Sequence, residues 1–114
     1  MAAHTDIRVI NDPPNYPDGV DIAWFELSKK DGDTVTWINT TSVACDIDFG
    51  AKSPFTWNIT TVPANGGTSG PHAVRSNYPI PPNQRKDRVC QLHKYDVIGA
   101  GGAYRFDPGG GVRP

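Results

Sequence analysis

The sequence predicts a single small all-β domain, a sandwich or small barrel, over residues 1–114, and three observations support that prediction. The length suits one domain and allows a hydrophobic core without a stabilising disulfide or metal. Twelve Gly and eleven Pro residues exceed average usage and favour turns over long helices. Short β-type runs alternate with turn residues, and no segment has helical periodicity. We therefore expect about seven to eight strands and little or no helix.

The first two β-type runs lie in the N-terminal third of the chain. Residues 5–10 alternate in polarity and are followed by two adjacent prolines, which cannot donate hydrogen bonds to a sheet. Residues 20–27 form the second run, in which Trp24 and Leu27 are among the larger apolar side chains. Residues 28–33 contain an Asp-Gly pair, so we expect a hairpin-type turn there.

The clearest strand pattern is at residues 34–39, which are almost entirely β-branched or aromatic. Their alternation places Val35 and Trp37 on one face. Residues 43–49 also alternate, so one set of side chains is expected to point inward and the other outward. The inward set is Cys45, Ile47 and Phe49, and the outward set is Ala44, Asp46 and Asp48. After a turn, residues 55–62 are the next candidate strand.

A long Gly- and Pro-rich loop region is predicted at residues 63–88. Within it, residues 63–71 predict a loop because they contain Asn-Gly-Gly and Ser-Gly, and residues 72–76 predict only a short extended piece. Residues 89–98 predict a second strong strand. Residues 103–112 can supply a last strand, which we expect three glycines to break.

Three short sequence motifs follow one another along the chain. The first is Lys-Asp-Gly-Asp-Thr-Val-Thr-Trp-Ile-Asn at residues 30–39, the second His-Lys-Tyr-Asp-Val at residues 93–97, and the third begins with Asp-Pro at residues 107–114. Each is similar to a strand of the small bacterial cupredoxin-like domains, and together they extend the resemblance over most of residues 5–113. The resemblance implies a single Greek-key sandwich or barrel of cupredoxin-like type.

The same resemblance implies that the copper ligands of the family are missing. Copper-binding members use two His, a Cys and usually a Met. The first His position falls on Cys45, the Cys position falls near Val97, and residues 98–102 supply neither His nor Met. The single Met of the chain is Met1. We therefore expect no metal site and no cofactor.

An alternative ligand set stays open if that alignment is out of register. Its members are Cys45, Cys90, His93 and His72. Cys90 and His93 form a Cys-x-x-His sequence, but residues three apart in a strand point to opposite faces. The resemblance also places Cys90 far from Cys45, which argues against a disulfide between them. The sequence leaves open whether the two cysteines are free thiols, a disulfide or ligands.

No catalytic residues can be assigned from the sequence. Asp46 and Asp48 are predicted on an outward face, whereas a general acid needs burial to raise its pKa. The Asp31 to Asp33 segment lacks the later ligands of a calcium loop and is interpreted as a turn. The three histidines are not spaced with a Ser or Cys in a triad signature, although a triad is a geometric arrangement that sequence order cannot exclude.

The charge and hydropathy of the chain argue against nucleic acid and membrane partners. The net charge is −1 and the eleven Lys and Arg residues are scattered, so we expect no nucleic acid partner. No apolar run approaches the roughly 20 residues that span a bilayer, so no membrane is expected. Residues 1–6 have neither the basic flank nor the apolar core of a signal peptide, so the expected location is cytoplasmic. A trimmed secreted fragment would look the same.

The sequence favours a non-enzymatic binding or structural and assembly module. A sandwich without copper retains its loops and edge strands as recognition surface. Its partner would be another protein or a second copy of the chain. The predicted contact region is a pre-extended, polyproline-like stretch. Its residues are Tyr78, Pro79, Ile80, Pro81 and Pro82. The alternative is a copper-binding electron-transfer or copper-handling cupredoxin.

Overall fold

Ten short strands and two 3₁₀ turns make up the regular structure of residues 2–114, the part of the chain that the computed structural model describes. The strands are β1 (His4–Val9), β2 (Trp24–Ser28), β3 (Thr34–Asn39), β4 (Cys45–Asp48), β5 (Ile59–Val62), β6 (Gly67–Ala73), β7 (Gln91–Lys94), β8 (Asp96–Gly99), β9 (Arg105–Phe106) and β10 (Gly109–Arg113). The 3₁₀ turns are Gly50–Lys52 and Ala100–Gly102. The all-β prediction is confirmed, with more and shorter strands than expected.

The strands are arranged in three sheets, and none of them is a closed barrel. In the first sheet, β3 pairs in parallel with β1 and antiparallel with β6. In the second, β10 pairs in parallel with β2 and antiparallel with β7. The third has the order β5-β4-β8-β9, with antiparallel pairs throughout.

One hydrophobic core fills the space between the sheets, and its centre is Trp37 on β3. The indole of Trp37 contacts the rings of Phe25, Phe49, Phe55 and Tyr95 at centroid distances between 5.6 and 6.1 Å. Its Nε1–H donates to the Tyr95 hydroxyl at 3.3 Å, which satisfies the one polar atom of the ring. Edge-to-face packing of this kind stabilises the core beyond simple burial.

The prediction of which side chains in β3 and β4 point toward the core is confirmed. Val35 and Trp37 are fully buried. Cys45, Ile47 and Phe49 are also buried, whereas the intervening residues 44, 46 and 48 are only partly buried. A turn forms at residues 29–32, with Gly32 at a φ of 74°, but the expected hairpin is wrong, because β2 and β3 belong to different sheets.

The loop predicted at residues 63–71 is wrong for its second half, because Gly67–Ala73 is strand β6. Its pairing with β3 is a long-range interaction that overrides the local turn propensity of the glycines. A Cβ at Gly70 would lie 2.9 Å from the Val35 carbonyl oxygen, so the small residue permits the close approach to β3. The loop region predicted at 63–88 is therefore divided by a strand.

The strand predicted at residues 89–98 is divided between two sheets. β7 pairs with β10, and β8 pairs with β4 and β9. His93, Tyr95 and Val97 are all buried, so the alternation of side chains continues across the junction while the hydrogen-bonding partners change. The backbone N–H of Tyr95, between the two strands, donates to the Pro108 carbonyl at 3.0 Å.

The three glycines expected to break the last strand instead form most of β10, the central strand of the second sheet. The ring of Phe25 covers Gly110, and the branched side chain of Val89 covers Gly111. A Cβ at Gly110 would lie 2.3 Å from the buried Phe25 ring, and one at Gly111 would lie 2.6 Å from Val89. Trp24 lies on the outer face beside Gly109 and Gly111, with 42% of its surface exposed.

Candidate binding surface

A serine and a histidine lie within hydrogen-bonding distance of each other beside the core, the arrangement most suggestive of catalysis. Ser69 Oγ is 2.9 Å from His72 Nε2, and both residues are on β6. On the other side of the imidazole, Trp57 Nε1–H donates to His72 Nδ1 at 3.0 Å. Because an indole N–H can only donate, Nδ1 must accept, and the ring hydrogen of the neutral histidine is on Nε2.

That tautomer makes His72 a donor to the serine rather than an acceptor. A general base must take the proton of the nucleophile, so its nitrogen must carry a free lone pair. Ser69 also contacts Thr60 Oγ1 at 2.7 Å, which extends the chain of hydrogen bonds from β6 to β5. Burial lowers the pKa of His72 below 6.5, in keeping with a neutral ring. The group functions as a structural connection between two sheets.

Tyr78 and His93 form a second pair, and both of its residues are buried. The Tyr78 hydroxyl is 2.8 Å from His93 Nε2, and only 3% of Tyr78 is exposed. Burial raises the pKa of Tyr78 to about 12, and burial lowers that of His93, which also bonds to the Lys52 backbone. Tyr78 was predicted as a contact residue, and the structure instead makes it an internal anchor for the segment that follows it.

The alternative metal ligands lie in separate surroundings. Cys45 is beside Tyr104, His72 is beside Trp57, and His93 is beside Tyr78. Burial raises the pKa of Cys45 to about 11, which keeps it a protonated thiol. Cys90 is a second free thiol. Within residues 2–114, no three His, Cys, Asp or Glu side chains are close enough to hold a metal ion.

An open groove of about 600 Å³ lies between the turn after β2 and the proline-rich segment. We call it the lysine groove, and it is lined by Lys29, Lys30, Val74, Ser76, Ile80 and Pro114. Its volume is in the range of ordinary ligand sites, roughly 300–1,000 Å³. Of the five predicted contact residues, Ile80 lines the groove, and Pro79, Pro81 and Pro82 are exposed next to it.

Two adjacent lysines contribute positive charge to the groove. In the described part of the chain, no carboxylate lies within 4.0 Å of either ammonium group. The nearby Asp33 is buried, and its oxygens accept from the backbone N–H groups of Ser28 and Ala3, both at 2.8 Å. Asp33 therefore stabilises the turn from its inner side and is not available to the lysines.

Comparison with known proteins gives no relative to compare with this groove. No family model, curated protein or solved structure matches the chain. No helix within residues 2–114 is both long enough and apolar enough to cross a bilayer. The function must therefore be argued from the residues themselves.

Sequence reasoning missed most of the groove. Lys29 and Lys30 belong to a segment interpreted only as a turn, and Val74 and Ser76 to a short extended piece. The lysines lie beside Pro114 because the Lys29 N–H donates to the Arg113 carbonyl at 2.9 Å, which joins the turn to the end of β10. The one available signal was the pair of adjacent lysines next to a predicted turn.

Proposed function

We propose that this chain is a non-enzymatic protein-binding module on a copper-free, cupredoxin-like Greek-key sandwich, and that the lysine groove is its contact region. The observation that carries the proposal is the groove itself, which combines the partly buried apolar side chains of Val74 and Ile80 with two lysine side chains. Charged side chains beside exposed apolar surface are typical of recognition sites.

The state of the reactive side chains supports a binding role. His72 donates to Ser69 and cannot accept its proton, and the Cys45 thiol is buried with a raised pKa. Tyr78 and His93 are buried against each other. None of these groups combines a free lone pair with access to a substrate, which nucleophilic and general-base catalysis both require.

The residues at the family's ligand positions support the copper-free part of the proposal. Cys45, at the first histidine position, is within hydrogen-bonding reach of Tyr104, and Val97, near the cysteine position, is fully buried. Neither supplies an imidazole or an exposed thiolate to copper. Addition of Cu(II) should therefore produce no blue-copper charge-transfer band and no change in melting temperature.

The binding proposal can be tested with a random peptide library displayed on phage and selected on the full chain. Synthetic copies of the enriched peptides are then titrated into the ¹⁵N-labelled protein. We expect the largest amide shifts at residues 29–30 and 74–80, which surround the groove. Enrichment of no peptide, or shifts confined to other surfaces, would contradict the proposal.

A further inference from the structure

We propose that His93 makes the attachment of residues 74–88 to the rest of the fold sensitive to pH, because protonation of its ring weakens the contact that holds them. We call these residues the strap, and they lie between β6 and β7. The inference goes beyond the proposed binding function and does not depend on it. The strap includes Ser76 and Ile80, so its release would also dismantle one wall of the lysine groove.

One side chain holds the strap to the interior. Tyr78 is the only residue buried among residues 74–88, and 3% of it is exposed. Residues 79–88 make a single backbone hydrogen bond, which stays within them, from the Arg88 N–H to the Arg85 carbonyl at 3.1 Å. Near the start of the strap, the Arg75 N–H donates to the Pro54 carbonyl at 2.9 Å. A segment with so few buried contacts opens at a lower free energy than the core strands.

The partner of Tyr78 is a histidine on the first strand after the strap. The Tyr78 hydroxyl is 2.8 Å from His93 Nε2, and 5% of His93 is exposed. Burial lowers the pKa of His93, and a hydrogen bond to the Lys52 backbone opposes that effect. A backbone group favours the protonated ring only by accepting from it, so the Lys52 carbonyl is the acceptor. Nε2 of the neutral ring is then left to accept from the Tyr78 hydroxyl.

A proton on Nε2 reverses this hydrogen bond. The Tyr78 hydroxyl would have to accept from the ring and turn its own hydrogen elsewhere. The other acceptor within reach is Gln91 Oε1, which is 3.5 Å away and therefore too far for a strong hydrogen bond. The protonated pair is less well satisfied than the neutral pair, and it is buried, where an imperfect polar contact is most costly.

The charged and titratable groups around His93 do not stabilise an imidazolium. Arg75 lies over the Tyr78 ring, 5.3 Å from its centroid, and its charge further lowers the pKa of His93. Burial raises the pKa of Cys90, so this thiol stays neutral. Lys52 adds another cation, and β10 places only glycines opposite residues 92–94. Within residues 2–114, no carboxylate is within 4.0 Å of His93.

The direction of the pH dependence follows from these contacts. With the strap detached, His93 is in water and has the ordinary pKa of about 6.5, whereas its pKa is lower with the strap attached. The detached form therefore binds more protons, and its share rises as the pH falls below about 6.5. Between pH 7.5 and pH 5.5, the ratio of detached to attached strap should rise by up to about tenfold.

Hydrogen exchange of the ¹⁵N-labelled full chain, measured by NMR at pH 7.5 and pH 5.5, tests the proposal. Each rate is divided by the intrinsic rate at the same pH to give a protection factor. The amides of Arg75 and Tyr78 report on the strap, and the amides of β3 report on the core. We expect strap protection to fall by about threefold to tenfold at the lower pH and to stay below that of β3 at both values.

Three variants show which side chain is responsible. His93→Gln removes the titration and keeps a polar side chain beside Tyr78, so strap protection should become equal at the two pH values. His72→Gln is the matched control, because burial lowers the pKa of His72 as well but its ring contacts Trp57 and Ser69. It should leave the pH response of the strap intact. Tyr78→Ala should abolish strap protection at both pH values while β3 stays protected.

Strap protection that does not change between the two pH values overturns the proposal. So does a pH response that His72→Gln removes as fully as His93→Gln, because the strap would then open only by global unfolding. If His93→Gln fails to fold, titration of the His93 ring in the unchanged chain decides. A pKa below 6.5, with strap amide signals that follow the same curve, supports the proposal, and a pKa of 6.5 or above overturns it.

Discussion

Replacement of Gly110 by alanine tests whether β10 requires a glycine at this position to leave room for the Phe25 ring. The added methyl would lie 2.3 Å from Phe25 Cε2, far inside contact distance. The ring cannot swing aside easily, because it is buried and lies 6.1 Å from Trp37 and 6.1 Å from Tyr95, centroid to centroid. Overpacking of a well-filled core costs about 1–3 kcal/mol. Reduced freedom of the unfolded chain offsets at most about 1 kcal/mol of that cost.

The neighbouring Gly109→Ala variant is the matched control. Gly109 is in the same strand, but its added methyl would meet no atom closer than 3.2 Å, and that nearest atom is Cδ of the flexible Lys94 side chain. We therefore expect Gly109→Ala to change the free energy of unfolding by less than about 0.5 kcal/mol. Gly110→Ala should lower the melting temperature by up to about 12 °C, from a net cost of up to about 3 kcal/mol and the usual dependence of melting temperature on stability in a domain of this size.

Urea denaturation followed by circular dichroism measures both variants. A second substitution, Phe25→Leu, removes the clashing ring, so the double variant Gly110→Ala/Phe25→Leu should be less destabilised than the sum of its single changes. Equal unfolding free energies for Gly110→Ala and Gly109→Ala would refute the reasoning. So would strict additivity in the double variant, because it would mean that the methyl and the ring do not interact.

Three further predictions follow from buried and exposed side chains. His72 has a lowered pKa in the folded protein, so the unfolded chain binds more protons below about pH 6.5, and the free energy of unfolding should fall from pH 7.5 to pH 5.5. His72→Gln should reduce that slope in urea titrations, and an unchanged slope would contradict this role. A thiol reagent should label partly exposed Cys90 rapidly and buried Cys45 only at the rate of unfolding, as mass spectrometry can show; simultaneous labelling would be inconsistent with the burial. Trp24→Phe should remove the larger part of the tryptophan fluorescence that acrylamide quenches, because Trp37 is fully buried and Trp57 is partly buried; undiminished quenching would contradict the exposure of Trp24.

The strands that the sequence predicts well are those whose side chains alternate between core and solvent. In β3 and β4 the alternation is a direct consequence of one buried face, so Val35, Trp37 and Ile47 could be assigned before the structure. β6 and β10 could not be assigned in the same way. Their stability comes from partners distant in sequence, and their glycines, which locally favour turns, are needed where other residues approach closely.

The division of residues 89–98 shows a different limit. Side-chain periodicity reports which face is buried, and it continues unchanged through His93, Tyr95 and Val97. The pairing partner changes from β10 for β7 to β4 for β8, and this change does not alter the burial pattern. The sequence also does not predict which hydrophobic side chains are exposed. Leu92, 68% exposed, lies on β7 within the run, and its neighbours in sequence give no reason for its position.

The lysine groove illustrates why net charge is a poor guide to a local site. The segment from Lys29 to Asp33 has two basic and two acidic side chains, so the sequence alone shows it as electrically balanced. Folding removes one of the two carboxylates from the surface, because Asp33 is needed inside to accept from the backbone N–H groups of Ala3 and Ser28. The lysines cannot follow it, since a buried ammonium without a partner would be costly. The net charge of −1 therefore does not report how the charges of one segment are divided between the core and the surface.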